Sequence, residues 1–270
     1  MAPVSAVGAP CEWEGVKGQC VKGTRCLTTL DPAFDKHAAV LGYGEELSTA
    51  WWSAGGTILS EKYILTAAFS GSEPPTRGPL TFVALDVKQL SDPPSSWQTH
   101  KVKRFIPYPE YRFPNFYHDI ALIEMETLIT FNKNVLPACL PVVDMNTDDA
   151  TALTWRDEPG LANESMGIDL NKFTYAECSN TYVVGEYIHL KYGIDTNTQM
   201  CYGSRRREPE VCMSRLGEAL LVWNQFCGCI PAVIGVTSFS LPCEDGIPLG
   251  PSAYTRVAYY IPWIESIVWP

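Results

Sequence analysis

Histidine, serine and aspartate are the residue types that build a proton relay to a nucleophilic hydroxyl. This 270-residue chain holds four histidines: His37, His100, His118 and His189. Any of them could in principle act as general base to Ser214, Ser238 or Ser240, provided nitrogen and hydroxyl come within hydrogen-bond reach. His118 directly precedes Asp119, but neighbours on a strand point to opposite faces, so these two are not expected to cooperate. Of ten cysteines, only Cys227 and Cys229 lie close together. No second pair or His-x3-His follows them, and no acidic loop has ligand spacing, so neither a metal nor a cofactor is expected. Disulfides are the better reading, and they imply an oxidising compartment. Asn163-Glu164-Ser165 is a glycosylation triplet compatible with that compartment. Arg205-Arg206-Arg207 reads first as a solvated turn, with a cleavage site or docking patch as the sharper alternative.

The elements that must position these groups are short. Ala38–Gly42, Gly56–Leu65, Phe82–Leu85, Val102–Ile106, Ile120–Met125, Ala232–Phe239 and Ala253–Val257 are β-like runs separated by turns, within a chain of 20 glycines and 21 prolines. Many short strands at regular spacing predict a sandwich or barrel. Tyr259, Ile261, Ile264, Ile267 and Val268 repeat at helical spacing, with Pro262 tolerable in a first turn. Thirty acidic against twenty basic side chains leave a net charge of −10, which disfavours nucleic acid and anionic membrane surfaces as partners. No apolar run reaches the roughly 18 residues of a spanning helix. Met1–Pro10 has neither the basic start nor the apolar stretch of a secretion leader, so the cysteines imply a leader absent from this sequence.

Three stretches together resemble chymotrypsin-type serine proteases, specifically the insect and crustacean clip-domain branch. They are Gly55 to Ala68 (GGTILSEKYILTAA), His118 to Leu122 (HDIAL), and Tyr254 to Val257 (YTRV) running into Tyr260 to Ile264 (YIPWI). Pro137 to Pro141 (PACLP) and Gln199-Met200-Cys201 follow the family order. The likeness covers roughly Phe34 to the C-terminus. It implies an all-β fold of two six-stranded antiparallel barrels with a C-terminal helix and a site in the cleft between them.

The same likeness implies that the catalytic set is dismantled. Phe69 and Ser70 stand where the family has His-Cys, and a phenyl ring cannot accept a proton. Asp119 keeps the family aspartate, while Leu216 in Cys212-Met213-Ser214-Arg215-Leu216-Gly217-Glu218 stands at the serine. Ser214 replaces the oxyanion glycine, and Arg215 the aspartate that pairs with the ammonium freed by activation cleavage. No Arg/Lys-Ile-Val-Gly-Gly activation sequence precedes His37. Glu210 falls at the base of the primary specificity pocket and Ser252 at a glycine lining it, so the pocket is expected to be narrowed or filled. Phe69 and Leu216 are expected to fill the vacated cleft rather than form a ligand pocket.

By resemblance, the cysteine pair flanking the family histidine is lost together, at Ala54 and Ser70. Cys178–Cys201 and Cys212–Cys243 match family bridges, and Cys139 matches the anchor of the light chain. Cys11, Cys20 and Cys26 are expected to pair with Cys139, Cys227 and Cys229 in an order that spacing does not fix. Residues 1–32 read as a light-chain tail or degenerate clip, and 33–270 as the protease-like domain. The implied function is a secreted, non-catalytic protease homologue serving as adaptor, cofactor or decoy in an arthropod immune cascade of prophenoloxidase or Toll type. Its expected partners are proteases or zymogens, with no small-molecule ligand. A weakly active or rearranged endopeptidase and a structural secreted protein are the alternatives.

Overall fold

A computed structural model describes residues 10–13, 16–19, 34–72, 77–141, 144–145, 147–155, 165–185, 189–206, 215–223, 231–244 and 247–270. A short antiparallel hairpin, β1 (Pro10–Trp13) and β2 (Val16–Gln19), lies in the leading segment. The expected boundary near residue 32 and Cys20 and Cys26 fall outside the described residues, as does the side chain of Cys11. The first barrel is built from β3 (Ala38–Tyr43), β4 (Trp51–Ile58), β5 (Tyr63–Thr66), β6 (Leu80–Leu85), β7 (Gln98–Pro107) and β8 (Ala121–Met125). It closes in the order β3-β4-β5-β8-β7-β6.

The second barrel uses β9 (Asp149–Trp155), β10 (Ser165–Phe173), β11 (Gln199–Gly203), β12 (Ala219–Trp223), β13 (Pro231–Phe239) and β16 (Ser252–Arg256). A two-stranded ribbon, β14 (Cys243–Glu244) and β15 (Ile247–Pro248), interrupts it. The order is β10-β11-β16-β13-β12-β9, every pairing antiparallel. Two closed six-stranded barrels are the architecture the sequence predicts.

Why several strands read as unbroken apolar runs follows from this arrangement. Alternate side chains on a strand face opposite ways, and where barrel meets barrel both ways are buried. Ile64 of β5 and Ile123 of β8 fill the first barrel, while Leu65 and Leu122 point into the seam between barrels. Leu220 and Ile234 fill the second barrel, and Leu221 and Val233 face the seam. Helix α2 (Val257–Val268) caps the seam with Val257, Tyr260, Ile264 and Val268, at spacings of three and four.

Three local expectations change. Gly56–Leu65 is two strands, because Ser60, whose hydroxyl accepts the N–H groups of Lys62 and Tyr63, makes a turn within it. The stripe of α2 is buried as predicted at Ile264 and Val268, but Tyr260 rather than Tyr259 faces inward, and Ile261 and Ile267 are only partly buried. Pro262 sits at the sixth helical position rather than in the first turn. An unpredicted helix, α1 (Tyr175–Thr181), starts at a capping box in which Thr174 and Glu177 satisfy each other's backbone N–H. The Cys178–Cys201 disulfide joins it to β11, with Cα atoms 6.1 Å apart.

Candidate functional site in the cleft between the barrels

β5 ends at Thr66, and a tight 3-10 turn, Ala68–Ser72, carries Phe69 to the edge of the seam. Ser70, wholly buried, fixes that turn by donating to the Ala67 carbonyl (2.6 Å) and accepting Tyr43 Oη at its own carbonyl (2.9 Å). Ala54, opposite in the expected pair, lies in the core of the first barrel. The turn is therefore held by hydrogen bonds and packing where the resemblance implies a lost cross-link.

Asp119 precedes β8 and is fully buried. Its Oδ1 accepts the Phe69 N–H at 2.7 Å and its Oδ2 accepts the Ser238 hydroxyl at 2.5 Å, with the Ala68 N–H a further donor. The Asp119 carbonyl accepts Thr255 Oγ1 at 2.8 Å, tying the second barrel to the first. Burial pushes the carboxyl up to about 7 against the pull of these donors.

The half-buried ring of Phe69 lies 5.5 Å from Phe113 and 5.7 Å from Phe116. Phe116 stacks on Phe239 at 4.4 Å, and Phe239 meets the edge of Tyr182 at 5.0 Å. A row of aromatic rings thus runs from the first barrel to the second, ending in solvent at Phe113, which is 57% exposed. These rings come from four separate segments, a convergence with no signature in linear spacing.

Leu216 lies in the turn 215–218. Its carbonyl accepts the Gly55 N–H of the first barrel (2.8 Å), and the Gly217 N–H donates to Thr237 of the second (2.8 Å). Gly217 has φ +83°, the left-handed region in which a glycine costs least. The side chain of Leu216 packs against the seam core. Thr237 precedes Ser238, so the 215–218 turn, Asp119 and Phe69 are linked through three hydrogen bonds: the Gly217 N–H to the Thr237 carbonyl, the Ser238 hydroxyl to Asp119, and the Phe69 N–H to Asp119.

Glu218 was not singled out by the sequence, and it is the most unusual group present. It is 3% exposed, with Oε2 accepting the Arg215 N–H at 2.7 Å and its carbonyl accepting the Thr237 N–H at 2.8 Å. Burial raises its carboxyl to about 8, against the Arg215 N–H and charge and the Thr154 hydroxyl. A Cβ on Gly55 would meet Glu218 Cγ at 2.5 Å, so Glu218 occupies the gap between barrels.

Ser252 is buried in β16 opposite Tyr202 of β11. Glu210, Ser214, Cys212 and Asn163 fall outside the described residues, as do Arg207, Cys227 and Cys229. Cys243 is disulfide-bonded. Cys139 is buried, bridging in parallel to Ala232. Arg205 is fixed by Glu177 at 2.6 Å and lies over the Phe173 ring. His118 is not on a strand; it occupies a turn at φ 56°, and its Nδ1 lies 3.0 Å from Tyr260 Oη. His37 Nδ1 donates to the Leu136 carbonyl at 2.9 Å, and burial depresses its pKa to about 4. His189 packs edge-on to Phe116. Among the described residues no serine is hydrogen-bonded to a histidine, no cluster of three or more His, Cys, Asp or Glu could hold a metal, and no helix is long and apolar enough to cross a membrane.

Comparison with known proteins agrees with this geometry. The chain is 31% identical over 242 residues to the serine protease snk of Drosophila melanogaster, covering 86% of this chain and 53% of that protein. It is 36% identical over 254 residues to the CLIP domain-containing serine protease C9 of Anopheles gambiae, covering 88% and 66%. It is 26% identical over 227 residues to the clotting factor G beta subunit of Tachypleus tridentatus, covering 79% and 70%. The chain spans about half to two thirds of these curated relatives. With the trypsin family model matching residues 36–264, nearly the whole of both barrels, the chain belongs to the trypsin family.

Proposed function

We propose that this trypsin-family chain is a secreted, catalytically inactive homologue that binds proteases or zymogens of an extracellular cascade as adaptor, cofactor or decoy. The observation that carries the reading is Phe69. Its backbone bonds Asp119 while its side chain, which has no atom able to take a proton, packs among Phe113 and Phe116. Leu216, at the junction with it, offers no attacking oxygen. Loss of one member of a relay costs on the order of 10⁴–10⁶ in turnover, and because the effects are non-additive the second loss adds little to the first. A rearranged hydrolase finds no support in the histidines, none of which reaches a serine among the described residues. The cascade role rests on relatives named as clip-domain proteases and a clotting-factor subunit, and an immune cascade of prophenoloxidase or Toll type is its specific form.

The folded protein is expected to leave chromogenic peptide substrates intact. Hydrolysis abolished by a serine-directed phosphonate would end the inactive reading. Crosslinking in native body fluid should recover a trypsin-family protease or zymogen, identified by mass spectrometry; recovery of none would remove the adaptor role and leave a structural protein.

A further inference from the structure

The only hydroxyl–imidazole contact to an aliphatic alcohol among the described hydrogen bonds lies on the first barrel, between His100 of β7 and Thr127 just after β8. His100 of β7 is 8% exposed, and its Nδ1 is 2.8 Å from Thr127 Oγ1. Its other nitrogen, Nε2, is 3.0 Å from Gln98 Oε1. Gln98 is itself locked: its Oε1 accepts the Thr130 N–H at 2.7 Å, and its Nε2 donates to the Thr130 carbonyl at 3.0 Å. Flipping that amide would set donor against donor and acceptor against acceptor, so the orientation follows from the bonds.

The locked amide decides the tautomer of the histidine. Gln98 presents an oxygen, so His100 Nε2 must carry the proton. Nδ1 then holds a lone pair, and Thr127 must donate its O–H to it. This is the order of parts in an activated nucleophile: a hydroxyl, a neutral imidazole accepting its proton, and a fixed acceptor steering the imidazole. Burial lowers the pKa of His100, keeping it neutral at pH 7. Thr127 is exposed, and beside it Leu128 is 62% exposed. Thr127 therefore lies at the surface, with an apolar foothold next to it.

We propose that Thr127 is a nucleophilic modification site, with His100 as its general base and Gln98 as the positioning residue, that takes an acyl group from activated esters of apolar acids. In the step, Oγ1 attacks the ester carbonyl as its proton moves to His100 Nδ1. The new Oγ1–acyl bond forms and the acyl–oxygen bond to the leaving group breaks. The electron pair departs with the alkoxide or aryloxide, which takes the proton back from the imidazolium. The reaction is a single stoichiometric acylation of Thr127 rather than turnover. The site is independent of the dismantled cleft.

The test uses p-nitrophenyl butyrate with the full chain, following p-nitrophenolate release and mapping the adduct by peptide mass spectrometry. About one equivalent on Thr127 is expected. Thr127→Val, at an exposed position that tolerates the change, should abolish that adduct, and Thr127→Ser should retain it. His100→Ala should slow it roughly 100-fold or more. Acylation spread over lysines and unchanged by Thr127→Val, or an adduct confined to the cleft, would overturn the proposal; the second result would also strike the inactive reading. Nitrogen-15 NMR of the imidazoles gives a readout free of folding effects: an Nε2–H tautomer for His100 supports the assignment, and an Nδ1–H tautomer refutes it.

Discussion

Replacing Glu218 by glutamine should make the protein more stable, and more so as the pH rises. The folded chain holds this buried carboxyl up to about 8, whereas in the unfolded chain it titrates near its ordinary 4.5. The folded state binds the proton more tightly, so the stability this group contributes is intact below pH 4.5 and drains away as the pH climbs towards 8. Each pH unit in that window costs about 1.4 kcal/mol, or roughly 3 kcal/mol in all at pH 7. Glutamine has nearly the same shape, its carbonyl can accept the Arg215 N–H now received by Oε2, and it does not titrate. Urea unfolding followed by tryptophan fluorescence, with disulfides intact, gives the free energy of each protein from pH 5 to 7.5. Other titrating groups run through the same window. His37, depressed to about 4, acts in the opposite sense, its contribution lost as pH falls below 6.5. Such groups are common to both proteins and cancel in the difference. The glutamine variant is expected to gain about 3 kcal/mol on the parent across that range. A difference that stays flat would mean the carboxylate is ionised in the seam and held by the Arg215 guanidinium, and the argument from burial would be wrong.

Two further outcomes follow from bonds already described. Ser238→Ala removes the hydroxyl on Asp119 Oδ2 and should cost about 2 kcal/mol above pH 7, where the carboxyl is charged, and about half that at pH 5, measured by the same unfolding assay. Replacing both Cys178 and Cys201 by alanine opens a loop of sequence separation 23 and should lower stability by about 3 kcal/mol, read as an earlier urea midpoint.

What could be read from residue order was whatever repeats locally or sits in a motif. Short β-like runs at turn-punctuated spacing predict a sandwich or barrel, and the resemblance carried by stretches such as HDIAL implies the two barrels and the carboxylate of Asp119 at their junction. Helix α1 went unpredicted although Thr174 and Glu177 form a legible capping pair, because seven residues hold too little periodicity to stand out. The stripe of α2 holds at Ile264 and Val268 and differs at Tyr259, because Tyr259 and Tyr260 are the same residue type and only contact with the seam distinguishes them. Glu218 is harder: an acidic residue after a glycine reads as a solvated turn, and its burial depends on Gly55 of the other barrel, 163 positions away by the numbering. His100 and Thr127 meet only because β7 and β8 are neighbours in the barrel wall.

On the inactive reading proposed above, Asp119 has no imidazole to orient, and its presence beside Phe69 needs another explanation. Its hydrogen bonds supply one. Oδ1 and Oδ2 take the N–H of the turn carrying Phe69 and the hydroxyl of Ser238, while the main-chain carbonyl takes Thr255. Those partners belong to both barrels, so removing the carboxylate would leave a buried backbone N–H and a buried hydroxyl without acceptors at the seam. A group with that wiring stays whether or not any reaction occurs beside it. Phe69 and Leu216 carry no such obligation: the backbone N–H of one and the carbonyl of the other make the structural bonds, leaving their side chains free to become a ring and an isobutyl group. On the proposed reading, what persists and what is replaced in this cleft follows which atoms hold the barrels together, and an aspartate at this position is by itself no sign of catalysis.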